Sequence, residues 1–174
     1  MKEITINYII SQIFAFLAFI FSIIAYHRSK KEKIMSNMVM SNTLNLIHYM
    51  LLGAYSGAVT KILAILRDLI IIIKEKKKIP ERLILAGFII AYTVIGIVTF
   101  ESIVALLPLV AALIYLISIY NGNELRIKIA SASTYVLWLI YNIYVFSIMG
   151  IIATTISIIS GCIAIYRYKK KEAK

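Results

Sequence analysis

The stretch LNLIHYMLLGAYSG, residues 44–57, lies over LWLIYNIYVFSIMG, residues 137–150, when the chain is slid along itself by 93 residues. Leu44, Leu46, Ile47 and Gly57 fall on Leu137, Leu139, Ile140 and Gly150. The overlay runs without a gap from 11–78 onto 104–171, and Lys76 to Lys78 then fall on Lys169 to Lys171. Chance matches of leucine and isoleucine inflate such a comparison, so the identities carry little by themselves. The inference rests on punctuation: apolar runs, the glycine between two of them and the basic ends coincide in one register. This reading makes the chain a three-helix unit used twice.

The solvent around those helices follows from composition. Of 174 residues 61% are apolar, with a mean hydropathy of +0.90, whereas a soluble domain has about 45–50% apolar residues. Apolar runs long enough to cross about 30 Å of hydrocarbon at 1.5 Å per residue recur along the whole chain. Seven spans are expected, near 7–27, 38–55, 57–74, 83–100, 102–120, 130–148 and 150–168. The first run is too long for a signal-peptide core and ends in YHRSKKEK rather than a cleavage site, so it is read as a helix that stays.

Basic residues orient the spans, because Lys and Arg are retained on the cytoplasmic side of short loops. Arg28, Lys30, Lys31 and Lys33 follow span one; Lys74, Lys76, Lys77, Lys78 and Arg82 follow span three; Arg126 and Lys128 follow span five; Arg167 to Lys174 follow span seven. The connections after spans two, four and six contain no Lys or Arg. The amino terminus is thereby expected outside and the carboxyl terminus inside. The net charge of +11 becomes a topology signal, which removes the case for a nucleic-acid partner.

The expected fold class is an all-α membrane protein of seven transmembrane helices in one membrane domain, 1–174. Residues 7–78 form the first three-helix bundle, 83–100 a linker helix and 102–171 the second bundle. An odd linker span makes the two bundles a parallel pair related by an axis along the membrane normal.

Arg67 and Asp68 stand side by side within LAILRDLIIIIK, residues 63–74. Near the bilayer midplane each charge costs at least about 2.5–3.5 kcal/mol on insertion scales. Adjacent helix positions point 100° apart, so the two are expected to look toward different neighbours rather than at each other. Asp68 is the counter-charge available to Arg67, Lys61 or a protonated His48. Counting inward from the outer turns sets Asn45, His48, Arg67, Asp68, Trp138, Tyr141, Asn142, Ser157 and Ser160 within roughly two helical turns of one depth. Asn45, His48, Trp138, Tyr141, Asn142 and Ser157 are the expected solute-binding residues, Arg67 and Asp68 a supporting ion pair that holds span three against spans two and six, and Pro108 a hinge. Each also has a structural reading: a register-fixing ion pair, a packing histidine, an interfacial tryptophan. The small stripe Ser11, Ala15, Ala18, Ser22 and Ala25, and the pair Ser157 and Gly161, read as close helix packing.

No catalytic, phosphate-loop or metal-binding pattern is present, His27 and His48 lack metal spacing, and the lone Cys162 excludes an internal disulfide. No enzyme activity, cofactor or metal is expected. HYMLLGAYSGAVTKILAILRDLI at 48–70, LLP at 106–108, and Trp138 and Asn142 followed by Gly150 resemble the bacterial inner-membrane proteins of the YgjV type, with His48, Gly53, Tyr55 and Arg67 on the family's pattern. More distantly, the 3+1+3 layout resembles the SWEET and PnuC-type transporters of the PQ-loop superfamily, although the Pro-Gln dipeptide is absent. The resemblance implies a bacterial cytoplasmic membrane location.

Two functions stay open. One is a small-solute transporter or facilitator working by alternating access, with the lipid bilayer and a small polar solute such as a nucleoside, vitamin or sugar as partners. The other is a non-transporting scaffold or sensor subunit. Because Asp68 offsets Arg67, a strongly anionic solute is disfavoured. Homo-oligomer formation is left open by the sequence.

Overall fold

The computed structural model describes residues 5–26, 31–77, 80–121 and 124–172. Among these, seven helices and no strand occur: α1 (Ile6–Tyr26), α2 (Lys31–Leu51), α3 (Tyr55–Lys77), α4 (Glu81–Val98), α5 (Ile103–Asn121), α6 (Glu124–Tyr144) and α7 (Ile148–Glu172). Arg28, Lys30, Lys78 and Lys174 of the basic clusters lie outside the described residues.

The helices sit where the apolar runs predict them, with two corrections. The second and sixth expected spans, 38–55 and 130–148, begin earlier and end earlier, at Lys31–Leu51 and Glu124–Tyr144. Their first turns are polar, and hydropathy discards residues that helix geometry keeps, since straight-chain Lys, Glu and Arg are good helix formers. Both helices then stop at turns that carry almost no polar residues.

Among the described residues α1 packs on α2 and α7, α2 on α3, α3 on α5, α5 on α6, and α6 on α7, so six helices close a ring. α4 lies against α3 and α5 only, through an apolar cluster that includes Leu63, Phe88, Tyr92, Leu109 and Leu116. The small stripe of α1 does what its spacing predicts: Ser11, Ala15, Ala18 and Ala25 are buried, and Ser41 on α2 donates to the Ala18 carbonyl at 2.8 Å. Gly161 plays the corresponding part between α7 and α6, where a Cβ would meet that of Ala132 at 3.3 Å.

The distribution of polarity is inverted relative to a soluble protein. Buried positions include Ser41, Asn42, His48, Arg67, Asp68 and Asn142, while Ile97, Val98 and Ile103 are more than 70% exposed. A soluble monomer seldom exposes so much apolar surface. Among the described residues two helices are long and apolar enough to cross a membrane, Ile6–Ala25 and Ile148–Lys170. The remaining helices are shorter in their apolar part or carry the polar groups that make the interior.

Candidate functional site

The site is built from two helix ends. α2 closes in a turn where the Ala54 N–H donates to the Tyr49 carbonyl at 2.9 Å and the Gly53 N–H to that of Met50 at 3.0 Å. α6 closes identically: the Ser147 N–H donates to the Asn142 carbonyl at 2.9 Å, and the Phe146 N–H to that of Ile143 at 3.2 Å. Both are Schellman turns, which need one residue in the left-handed region. That residue is Gly53 at φ 68° in the first and Phe146 at φ 56° in the second.

Each turn is held by the helix that ends in the other. The Tyr141 hydroxyl of α6 accepts the Gly57 N–H at 2.9 Å and lies 3.0 Å from Ser56 Oγ, so it caps the start of α3. His48 of α2 reaches Ser147 Oγ at the start of α7, 2.8 Å from Nε2, and that same oxygen accepts the Gly150 N–H at 3.0 Å. His48 Nδ1 lies 2.7 Å from the Ser11 carbonyl, which can only accept, so Nδ1 carries the proton and Nε2 accepts from Ser147. Between them the Tyr49 hydroxyl donates to Asn142 Oδ1 at 2.9 Å. Gly57 and Gly150 make the approach feasible: a Cβ on Gly57 would stand 2.8 Å from Tyr141 Cε1, and one on Gly150 would collide with Ser147 and lie 2.5 Å from Asn142 Oδ1.

Two cavities lie among the helices, the smaller of them reaching up to Tyr49, Asn142 and Gly150. The larger, about 350 Å³, runs from Thr60 through Asp68 and Tyr115 toward Ala25 and Met35 at the opposite helix ends. The smaller, about 160 Å³, is lined by Asn45, Trp138, Asn142 and Ser157 among others. Both share Met38, Asn42, Lys61, Tyr135 and Trp138. The Lys61 ammonium stands 3.9 Å from the centre of the Trp138 ring, which stacks on Tyr49 at 5.7 Å and meets Tyr141 edge-on at 5.9 Å.

The expected single layer therefore divides. Asn45, Trp138, Asn142 and Ser157 come together around the smaller cavity. The Ser157 hydroxyl is already engaged, donating to the Ala153 carbonyl at 2.8 Å. His48 and Tyr141 line neither cavity and belong to the seal. Pro108 is buried within α5 and also lines neither.

The expectation that Arg67 and Asp68 look apart is corrected. Arg67 Nε and Nη2 both donate to Asp68 Oδ1, at 3.0 and 2.8 Å. Cβ directions diverge by 100°, but the arginine stem is long enough to swing its guanidinium back round the helix, and burial favours the pairing because the two side chains are only 7% and 3% exposed. Asp68 Oδ2 accepts from Asn42 Nδ2 at 2.9 Å, and the guanidinium faces the Tyr115 ring at 5.2 Å. The pair thus braces α3 against α2 and α5, rather than α2 and α6, and forms part of the larger cavity's wall.

Sequence reasoning passed over Asn42, Tyr49 and Tyr115, and it treated Lys61 only as a partner for Asp68. Lys61 had a signal: it is a lysine inside the apolar run of span three, seven residues and hence two turns before Asp68 on the same face. Among the described residues no group of His, Cys, Asp and Glu is arranged to hold a metal.

The model of a family described as bacterial inner membrane protein, Imp-YgjV, matches residues 9–172. The chain belongs to this family. No curated protein and no solved structure matches it. For an inner-membrane protein of the YgjV family, the inverted polarity of the ring has a physical cause, because lipid rewards isoleucine outside and forces polar groups to find partners inside.

Proposed function

We propose that this protein crosses the inner membrane seven times, with its amino terminus outside, as two parallel three-helix repeats, and that it moves a small solute by alternating access. The observation that carries the proposal is the contrast between the two ends of the ring. One end is closed by the bonds that tie each turn to the opposite helix, while the larger cavity extends from mid-helix toward the end bearing the basic connections. Support for the repeat comes from the same shift: turn bonds at 52, 53, 54 and 58 recur at 145, 146, 147 and 151. The ring supports it as well, since exchanging the halves turns the α3–α5 contact into α7–α1. In this reading the molecule is closed outward and open inward, and the turns 52–55 and 145–148 form the outer gate.

Cysteine accessibility tests it. In a Cys162→Ser background, Ser131→Cys in the larger cavity should react with an impermeant maleimide in inverted vesicles and not in intact cells. Ser56→Cys, at the seal, should react from neither side. Adding Tyr49→Phe and Tyr141→Phe to loosen the seal should admit the external reagent to Ser56→Cys. If Ser131→Cys stays unmodified from both faces, the interior is packed shut and the protein is a scaffold.

A further inference from the structure

We propose that the two cavities, which share Lys61, take a small organic anion, with its charge at the Lys61 ammonium beside Trp138. This rests on the reading of the cavities as the solute's path and adds the class of solute. The argument is a charge count over the lining. Arg67 is neutralised by two hydrogen bonds to Asp68 Oδ1, and the other oxygen of Asp68 is occupied by Asn42. Asp68 is the one acid among the lining residues.

Lys61 is left over. Among the described residues its ammonium has no ion pair and no hydrogen bond, only the face of Trp138. The position of Lys61, shared by both cavities, puts its charge where the two spaces meet. The wall therefore carries one net positive charge, which reverses the expectation that an anion is disfavoured. A ring face offsets only part of the cost of taking an ammonium out of water, and a carboxylate or phosphate group would supply the rest through charge-assisted hydrogen bonds. Asn45 lines the smaller cavity with no side-chain hydrogen bond among the described residues, so its amide is free to bond a second polar group of the solute.

Trp138 is the only tryptophan of the chain, so its fluorescence reads this site directly. The full chain in phosphatidylcholine nanodiscs is titrated with acrylamide, iodide and caesium, each normalised to free tryptophan amide. Acrylamide should quench, and iodide should exceed caesium by about threefold or more, because a fixed positive charge in a low-dielectric cleft concentrates anions. Lys61→Met should bring the iodide-to-caesium ratio near one, and Lys61→Arg, which keeps the charge, should preserve it. Benzoate should protect Trp138 from iodide, and its neutral isostere benzamide should not.

Equal quenching by iodide and caesium in the native protein overturns the anion site, as does an unchanged ratio in Lys61→Met or equal protection by benzamide. Should Lys61→Met not fold, Lys61→Arg and the benzoate comparison on native protein still decide. Protection by added phosphatidylglycerol in place of benzoate assigns the site to a lipid phosphate and overturns the soluble anion. Failure of acrylamide to reach Trp138 is a different result: it removes the open cavity, and the transport reading falls with it. Iodide preference without uptake of benzoate into proteoliposomes keeps the anion site and sinks transport alone.

Discussion

The turns at 52–57 and 145–150 share a backbone and differ in how side chains secure it. The first is held by one reaching group, Tyr141, with Val104 and Leu107 of α5 packed alongside. The second is held by a polar web: His48 on Ser147, Gln12 Oε1 accepting the Met149 N–H at 2.9 Å, and the Tyr8 hydroxyl donating to the Phe146 carbonyl at 2.9 Å. The first uses glycine in the left-handed position and the second phenylalanine. The same geometry is thus obtained once from backbone freedom and apolar packing, and once from hydrogen bonds that restrain a residue in an unfavoured conformation. In lipid the second solution is costly to disturb, since no water enters to satisfy a released group.

The difference can be broken most severely at the two reaching side chains. His48→Leu removes the bond to the Ser11 carbonyl and leaves the Ser147 hydroxyl proton without an acceptor, and at about 0.5–1.5 kcal/mol for the lost bond and about 1–3 kcal/mol for the unsatisfied donor it should cost about 2–4 kcal/mol. Tyr141→Phe strands chiefly the Gly57 N–H and should cost about 1–3 kcal/mol. Melting curves in detergent that rank Tyr141→Phe as the more damaging would show that the web is redundant and the single cap is not.

A smaller effect separates the glycines that follow the turns. Gly57→Ala and Gly150→Ala both overpack and should each lose about 1–3 kcal/mol. At Gly57 the obstruction is the Tyr141 ring at 2.8 Å, with Tyr49 behind it at 3.1 Å; at Gly150 Ser147 and Asn142 stand closer still, both fixed by hydrogen bonds. Gly150→Ala should therefore be the worse of the pair, and equal losses would mean that the web yields as easily as the ring.

The smallest effect has opposite signs at the two turns. Phe146→Gly removes a left-handed non-glycine residue whose side chain is 61% exposed, so little packing is lost and stability should rise by about 0.5–1 kcal/mol. Gly53→Ala finds open space around its Cβ yet should lose about 1 kcal/mol to backbone strain alone. A loss on Phe146→Gly would give the exposed ring a role at the lipid interface.

The seven helices were legible because periodic apolarity survives any choice of boundary, and the shift that lays residues 44–57 over 137–150 also lays one set of turn bonds over the other. The site was less so, and the reason is where α2 and α6 begin. Starting them at 38 and 130 puts His48 and Asn142 near mid-helix; starting them at Lys31 and Glu124 puts Ser41 and Thr134 there instead. That shift carries His48 and Tyr141 from the expected cavity to the sealed end and brings Asn42 to the Asp68 carboxylate. The bridge between Arg67 and Asp68 was missed for a separate reason: a rule about Cβ directions says little about a side chain as long as arginine's.

The bond from Tyr49 to Asn142 joins two positions that are each other's counterparts. With the two halves related as proposed, a residue that touches its own counterpart lies on their two-fold axis, and a hydrogen bond there has a direction that the axis does not. Two identical chains meeting at such a point would have to place the same side chain on both sides, and two tyrosines or two asparagines must break their own symmetry to bond at all. With different residues at the two positions that restriction is lifted: Tyr49 is a permanent donor, Asn142 a permanent acceptor, and the contact between the turns has a fixed direction.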